Sequence, residues 1–247
     1  MKLLQLLLIS IFSTCAVTVN ALPSLQLGGD GSANWNYSGG TPDTWVVSGT
    51  NTFELFAYAN CESGATGCTN PKGSFAWDSA GASSRYAYLT VATMPDIGNI
   101  DGFDISISGA SLVSSGYGTP PVQDPNSIAS HSIFDTYFEI YEFQFDGAIS
   151  TIGNTEPGNT DTGSGYTESF DITINSILED VVGLHFDLFT VTGAQWDPTN
   201  LTTNKFLVNS VAPYSHDAEW TIPEPGILAL LGAGLIGLSL RKLMKTS

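Results

Sequence analysis

Apolar and polar residues alternate with a period of two in several short segments of this 247-residue chain, and this pattern limits the possible folds more than any other feature. In residues 103–108 (FDISIS) and 170–175 (FDITIN), every apolar side chain lies on one side of an extended strand. Residues 184–189 repeat the pattern, and residues 52–58 and 85–91 are richer in aromatic side chains. Such alternation is typical of strands that bury one face and expose the other.

Residues 137–145 differ because apolar side chains occupy both faces, which predicts a central strand or one with a bulge. Stretches rich in Gly, Pro, Asn, Asp and Ser predict loops over residues 60–80, 114–130 and 151–169. No core window of eleven or more residues has a helical period. The sequence therefore predicts an all-β extracellular domain over residues 22–221, a single β-sandwich of jelly-roll-like type.

The N-terminus predicts a signal peptide over residues 1–21. Met1 and Lys2 form a short basic start, and the apolar run that follows is too short to span a bilayer. Val19-Asn20-Ala21 has small residues at the positions that signal peptidase reads, so we expect cleavage between Ala21 and Leu22.

Residues 222–247 form a C-terminal segment with three parts. They are the tripeptide Pro223-Glu224-Pro225, an uncharged apolar run over residues 227–240, and the basic residues Arg241, Lys242 and Lys245. A helix over the apolar run would be roughly 20 Å long, short for a hydrocarbon core of about 30 Å. The basic residues behind it favour a cytoplasmic C-terminus. The alternative interpretation is an ordinary membrane anchor at the C-terminus.

The order of these three parts resembles the PEP-CTERM sorting signal. The resemblance implies a membrane-anchored intermediate that an exosortase recognises and processes. It also implies removal of the helix and delivery to the cell surface or extracellular matrix.

Five short motifs of the central region occur in residues 22–27 (LPSLQL), 117–121 (YGTPP), 130–138 (SHSIFDTYF), 183–188 (GLHFDL) and 212–218 (APYSHDA). Their order resembles the choice-of-anchor N family, whose members share an extracellular domain but differ in their C-terminal anchors. The resemblance implies a bacterial surface protein without a defined biochemical activity.

The central region is strongly acidic. Residues 22–222 contain 23 Asp and Glu residues against Lys72, Arg85 and Lys205, which gives a formal net charge of −20. A surface of this charge cannot neutralise phosphates, so the composition excludes a nucleic-acid partner.

Two cysteines remain after the signal peptide is removed. Cys61 and Cys68 flank a Gly-containing stretch, and an even pair in an oxidising compartment predicts a disulfide.

Histidines are the most informative polar residues of the central region. His185 and Asp187 are two positions apart in a predicted strand, so both project from the face opposite Leu184, Phe186 and Leu188. His131, His185, Asp187 and His216 are candidate metal ligands. We expect a structural pairing of His185 with Asp187 instead of a metal site.

The sequence does not require a cofactor. If one is bound, calcium is the candidate. Residues 28–34 and 96–102 place Asp and Asn side chains in Gly-containing turns, although neither has the spacing of an EF-hand.

No catalytic arrangement is evident, so we expect a protein that is not an enzyme. Residues 161–164 (DTGS) spell the aspartic-protease tetrapeptide, but they fall in a predicted polar loop and have no second copy. Two alternatives stay open: a hydrolase whose catalytic residues are not identifiable, and a carbohydrate-binding module of an exopolysaccharide matrix. The second rests on aromatic residues in or near predicted loops, Trp35, Tyr37, Trp45, Trp77 and Trp196, although we expect most of them to be buried.

Overall fold

A computed structural model describes residues 25–29, 31–32, 34–39, 43–61, 86–118, 135–145, 150–191, 208–211 and 217–222. Several sequence predictions lie outside these residues: the cleavage site at Ala21 and Leu22, Cys68, His131, His216, and the tail residues Pro223, Glu224, Pro225, Arg241, Lys242 and Lys245. Within the described ranges, no helix is long and apolar enough to cross a membrane.

The described residues form thirteen strands. In chain order these are β1 (Leu25–Gly29), β2 (Trp35–Gly39), β3 (Asp43–Ser48), β4 (Thr52–Cys61), β5 (Tyr86–Met94), β6 (Phe103–Ile107), β7 (Ser111–Gly118), β8 (Thr136–Gln144), β9 (Ser150–Gly153), β10 (Thr162–Ile177), β11 (Gly183–Val191), β12 (Val208–Val211) and β13 (Ala218–Thr221).

The strands belong to two sheets. The five-stranded sheet has the order β1-β4-β10-β6, with β9 also paired to β10. The eight-stranded sheet has the order β2-β3-β13-β11-β5-β8-β7, with β12 also paired to β11. Among the described strand pairs, only β3 and β13 run parallel. This architecture confirms the all-β sandwich, although its strands outnumber the eight of a double Greek-key jelly roll.

The core lies between the two sheets and is joined by aromatic contacts. Phe53 of β4 packs edge-to-face on Phe186 of β11, with ring centroids 6.0 Å apart. Phe170 of β10 meets Phe143 of β8 in the same geometry, at 4.8 Å. All four side chains are buried, so the apolar face of each sheet is covered by the other.

The five strands predicted from alternation are confirmed as β4, β5, β6, β10 and β11, and the doubly apolar segment is confirmed as β8. The doubly apolar strand, β8, is indeed central, between β5 and β7. The register irregularity next to it falls on β7, between Leu112 and Ser114.

All three predicted loops are partly wrong. Residues 60–61 belong to β4, residues 114–118 to β7, and residues 151–153 and 162–169 to β9 and β10. The DTGS tetrapeptide therefore lies mostly in a strand, because residues 162–164 pair with β9. β7 and β9 lie at sheet margins, where polar residues replace the alternating pattern that marks a half-buried strand.

The eight-stranded sheet is buried on its outer face as well. Phe138, Ile140 and Phe189 alternate with side chains of the core, yet each is almost fully buried. The Tyr88 ring stacks on Phe189 at 5.3 Å on this same face. The outer face is therefore a low-dielectric environment, and the polar cluster described next lies on it.

Candidate functional site

His185 lies in the middle of β11, on the outer face of the eight-stranded sheet. Leu184, Phe186 and Leu188 enter the core, so the period of two turns His185 and Asp187 to the opposite face, as the sequence predicted.

β13 brings two further carboxylates to this face. Glu219 is the direct cross-strand partner of His185, and Ala218 is the partner of Phe186. Because alternate residues share a face, Asp217 lies on the same side as Glu219. A backbone hydrogen bond from Trp45 N to Asp217 O (3.2 Å) fixes the start of β13 against β3. We call His185, Asp187, Asp217 and Glu219 the His185 cluster.

The imidazole contacts all three carboxylates of the cluster. Its Nε2 lies 3.1 Å from Asp187 Oδ2 and 3.4 Å from Asp217 Oδ2. Its Nδ1 lies 3.3 Å from Glu219 Oε1, within hydrogen-bond range. Although both aspartate oxygens lie this close, Nε2 has no hydrogen-bond partner of acceptable geometry.

Asp217 is held from its other side by β3. The hydroxyl of Thr44 donates a short hydrogen bond to Asp217 Oδ1, which leaves Oδ2 as the oxygen nearest to His185. Three strands that are distant in the chain therefore fix the positions of the ionisable groups.

Burial isolates the His185 cluster from solvent. The side chains of His185, Asp187 and Asp217 are 7%, 1% and 0% exposed, and that of Glu219 is 17% exposed. A polymeric substrate cannot contact groups buried to this extent. The geometry therefore favours a structural or ion-binding role over catalysis on a large substrate.

The neighbouring carboxylates control the charge of the imidazole. Burial by itself lowers the pKa of His185, but attraction to Asp187, with further contributions from Glu219 and Asp217, outweighs burial and raises the pKa well above its ordinary value. The cluster thus favours a cation at its centre, whether the cation is the imidazolium or a bound ion.

Sequence reasoning found two of the four members of this cluster. It did not include Asp217 or Glu219 among the candidate ligands, although the DAEW sequence of residues 217–220 has the alternation that places both on one face. The pairing of β13 with β11 could not be read from that pattern. His131 and His216, the other candidate ligands, lie outside the described residues.

Of the two candidate calcium turns, the first is partly in a strand and the second is a turn. Gly28 and Gly29 belong to β1, while the second stretch is a turn in which Gly98 N donates to Asp96 Oδ1 at 2.8 Å. Gly98 has a φ of 79°, in the left-handed region that glycine adopts without strain. These contacts give Asp96 a role in the turn itself, and calcium binding stays a prediction.

The described tryptophans do not lie in loops, contrary to the sequence prediction. Trp35 is in β2 and buried, as expected for most of these residues, whereas Trp45 is in β3 and partly buried. Tyr37 packs edge-to-face on Trp45 with centroids 5.4 Å apart. These rings pack within the sandwich instead of forming an open platform for sugars, and Trp77 and Trp196 lie outside the described residues.

Cys61 is the last residue of β4, opposite Ser164 of β10. Its predicted partner, Cys68, is outside the described ranges, so the disulfide stays a prediction.

Residues 221–243 match the PEP-CTERM protein-sorting motif. The matched range contains Pro223, Glu224 and Pro225 together with Arg241 and Lys242, which confirms the sorting segment predicted from the sequence. The motif supports an exported protein that an exosortase processes from a membrane-anchored intermediate. No curated protein matches the chain, and membership of the choice-of-anchor N family stays a prediction.

Proposed function

We propose that this chain is a non-enzymatic protein of the bacterial cell surface or extracellular matrix, displayed there after exosortase processing of its tail. The observation that supports the proposal is the sorting motif over residues 221–243, placed directly at the end of the sandwich. The folded region ahead of it is the cargo that the motif delivers.

The junction between sandwich and tail is structurally defined. The motif begins at Thr221, the last residue of β13, and Ile222 N donates to Val182 O at 3.1 Å. Four residues separate Ile222 from the apolar run that begins at residue 227, a span of at most about 17 Å. This end of the sandwich must therefore stay near the membrane until the tail is cut.

The surface chemistry supports release after cutting. Residues 22–222 carry 23 Asp and Glu residues against three Lys and Arg residues. An acidic domain is repelled by anionic lipid headgroups, so cleavage removes the main attraction that keeps it at the membrane.

The test is a change in the tripeptide. We expect Glu224→Gln, or Pro223→Ala combined with Pro225→Ala, to block processing, because the prolines favour the extended conformation that a protease binds. The variant should accumulate uncut in the inner membrane, as measured by fractionation and intact mass. Glu179→Gln, at an exposed acidic position of the sandwich, is the matched control and should be processed normally. Normal processing and surface display of the tripeptide variants would refute this route.

The non-enzymatic part of the proposal rests on the burial of the His185 cluster and has its own test. Purified protein should not hydrolyse a panel of glycosides, esters and peptides above background. Turnover that disappears in His185→Gln would contradict it.

A further inference from the structure

We propose that His185, Asp187 and Asp217 bind one divalent transition-metal ion on the outer face of the eight-stranded sheet, and that zinc is the ion that fits best. This inference goes beyond delivery to the surface and does not depend on it. The sequence alone favoured a structural pair of His185 and Asp187. The structure adds the carboxylate of Asp217 and orients the imidazole of His185, and both observations favour a metal site over a simple pair.

The spacing of the ligand atoms fits a metal centre. One atom from each of the three residues lies within 4.8 Å of the other two. Ligands about 2.0–2.2 Å from zinc in a tetrahedral arrangement are roughly 3.3–3.6 Å apart. The separation of 3.4 Å between His185 Nε2 and Asp217 Oδ2 lies in this range, and that of 3.1 Å to Asp187 Oδ2 lies just below it.

The imidazole is oriented as a metal ligand normally is. Metal-binding histidines usually donate their second ring N–H to a carboxylate, which fixes the tautomer and directs the other nitrogen at the metal. Here Nδ1 of His185 faces Glu219 Oε1 at 3.3 Å, and Nε2 faces the two aspartates. Thr44 supports Asp217 in the same manner, through a hydrogen bond to the oxygen farther from the imidazole.

Unsatisfied buried polar atoms are a second, independent observation. His185 Nε2 is buried and lacks a hydrogen bond. Thr90, the cross-strand partner of Asp187, is fully buried, and its Oγ1 also lacks a hydrogen bond. Directly paired residues project from the same face of a sheet, so this hydroxyl lies beside the cluster. Buried polar atoms of this kind normally contact a water or an ion.

The charges and ligand types select the class of ion. Within the cluster, three carboxylates surround one imidazole, and a divalent cation neutralises such a buried set better than one proton does. Calcium and magnesium prefer oxygen ligands alone, whereas zinc accepts nitrogen and oxygen together. A nitrogen ligand between two carboxylates therefore points to zinc or a related transition metal.

The first experiment measures metal content and stability of the exported, processed protein. After removal of metals with a chelator and incubation with zinc chloride, elemental analysis should find one zinc per chain. Zinc should raise the midpoint of thermal unfolding by on the order of 5 °C at saturation, because an ion that binds only the folded state stabilises it. Calcium chloride at the same concentration should produce a much smaller shift. The absence of both bound zinc and a zinc-dependent shift would overturn the proposal and leave the cluster as an ion pair.

The second experiment tests the residues. Asp217→Asn should weaken zinc binding at least 100-fold, and Glu219→Gln, which replaces the charged acceptor facing His185 Nδ1 without removing a ligand, should weaken it about 10- to 100-fold. Asp171→Asn is the matched control, since Asp171 is exposed on β10 in the other sheet. If Asp217→Asn fails to fold, the comparison of Glu219→Gln with the wild type tests the zinc site, because Glu219 is partly exposed and its substitution is less disruptive. Wild-type zinc affinity in Glu219→Gln would overturn the assignment.

Discussion

Glu139 is a buried carboxyl group on the core side of β8, where a charge is costly. It pairs across the ladder with Val91, and the hydroxyls of Tyr137 and Tyr141 donate to its two oxygens. Burial raises the pKa of Glu139, while the tyrosine hydrogen bonds act in the opposite direction. The same burial, with Glu139 nearby, raises the pKa of both tyrosines, so they remain donors at neutral pH.

This arrangement predicts a pH-dependent effect of Glu139→Gln. A carboxyl group with a raised folded-state pKa favours the folded state below the ordinary glutamate pKa, and that contribution is lost as the pH rises through the raised value. The variant should therefore gain stability relative to the wild type as the pH increases from 4 to 7. Denaturant unfolding at several pH values measures the difference, and Glu179→Gln corrects for the general loss of one negative charge. A difference independent of pH would contradict the raised pKa of Glu139.

At the scale of single elements, β10 organises the five-stranded sheet. It is the longest described strand, with 16 residues, and it pairs with β9, β4 and β6. Gly165 lies where β9 and β4 flank β10 on both sides, and a Cβ atom there would be 2.3 Å from the backbone oxygen of Ala59. Glycine is required at this position because the neighbouring backbone cannot move without breaking the ladder.

We accordingly expect Gly165→Ala to lower the free energy of unfolding by about 1–3 kcal/mol, the usual scale for forced overpacking. Gly153 of β9 is the matched control, because a Cβ atom there would meet nothing within 4 Å. Gly153→Ala should change stability only slightly, as measured by urea denaturation of both variants. Equal effects of the two substitutions would show that β4 shifts to accept the methyl group.

At the scale of the whole molecule, the export route determines the chemistry of the cysteines. Exported proteins fold in an oxidising compartment, where thiol pairs of suitable spacing become disulfides. Cys61 ends β4 at a point where the strand is still paired with β10. A link from Cys61 to Cys68 would restrict the chain that leaves this sheet.

The corresponding prediction is that the exported protein lacks free thiols. Its intact mass should increase by two hydrogen masses on reduction, and the double variant Cys61→Ser, Cys68→Ser should be less stable by about 2–3 kcal/mol. Two thiols that react with an alkylating reagent in freshly purified, unreduced protein would exclude the disulfide.

The sequence by itself determined two kinds of feature: the local strand pattern and the sorting segment at the C-terminus. Alternation depends only on consecutive residues, so it predicted five strands and placed His185 and Asp187 on one face before any pairing was known. The sorting segment was readable for the same reason, since its three parts are contiguous. Polar edge strands such as β7 were missed, because they bury too little surface to require alternation.

Only the tertiary structure decided which strands are neighbours, and hence which residues form the site. Glu219 is 34 positions from His185, and Thr44 is 173 positions from Asp217. Their contacts depend on the insertion of β13 between β11 and β3. That order is set by core packing and long-range hydrogen bonds across both sheets, which involve many residues at once and leave no mark in the local pattern of any single strand.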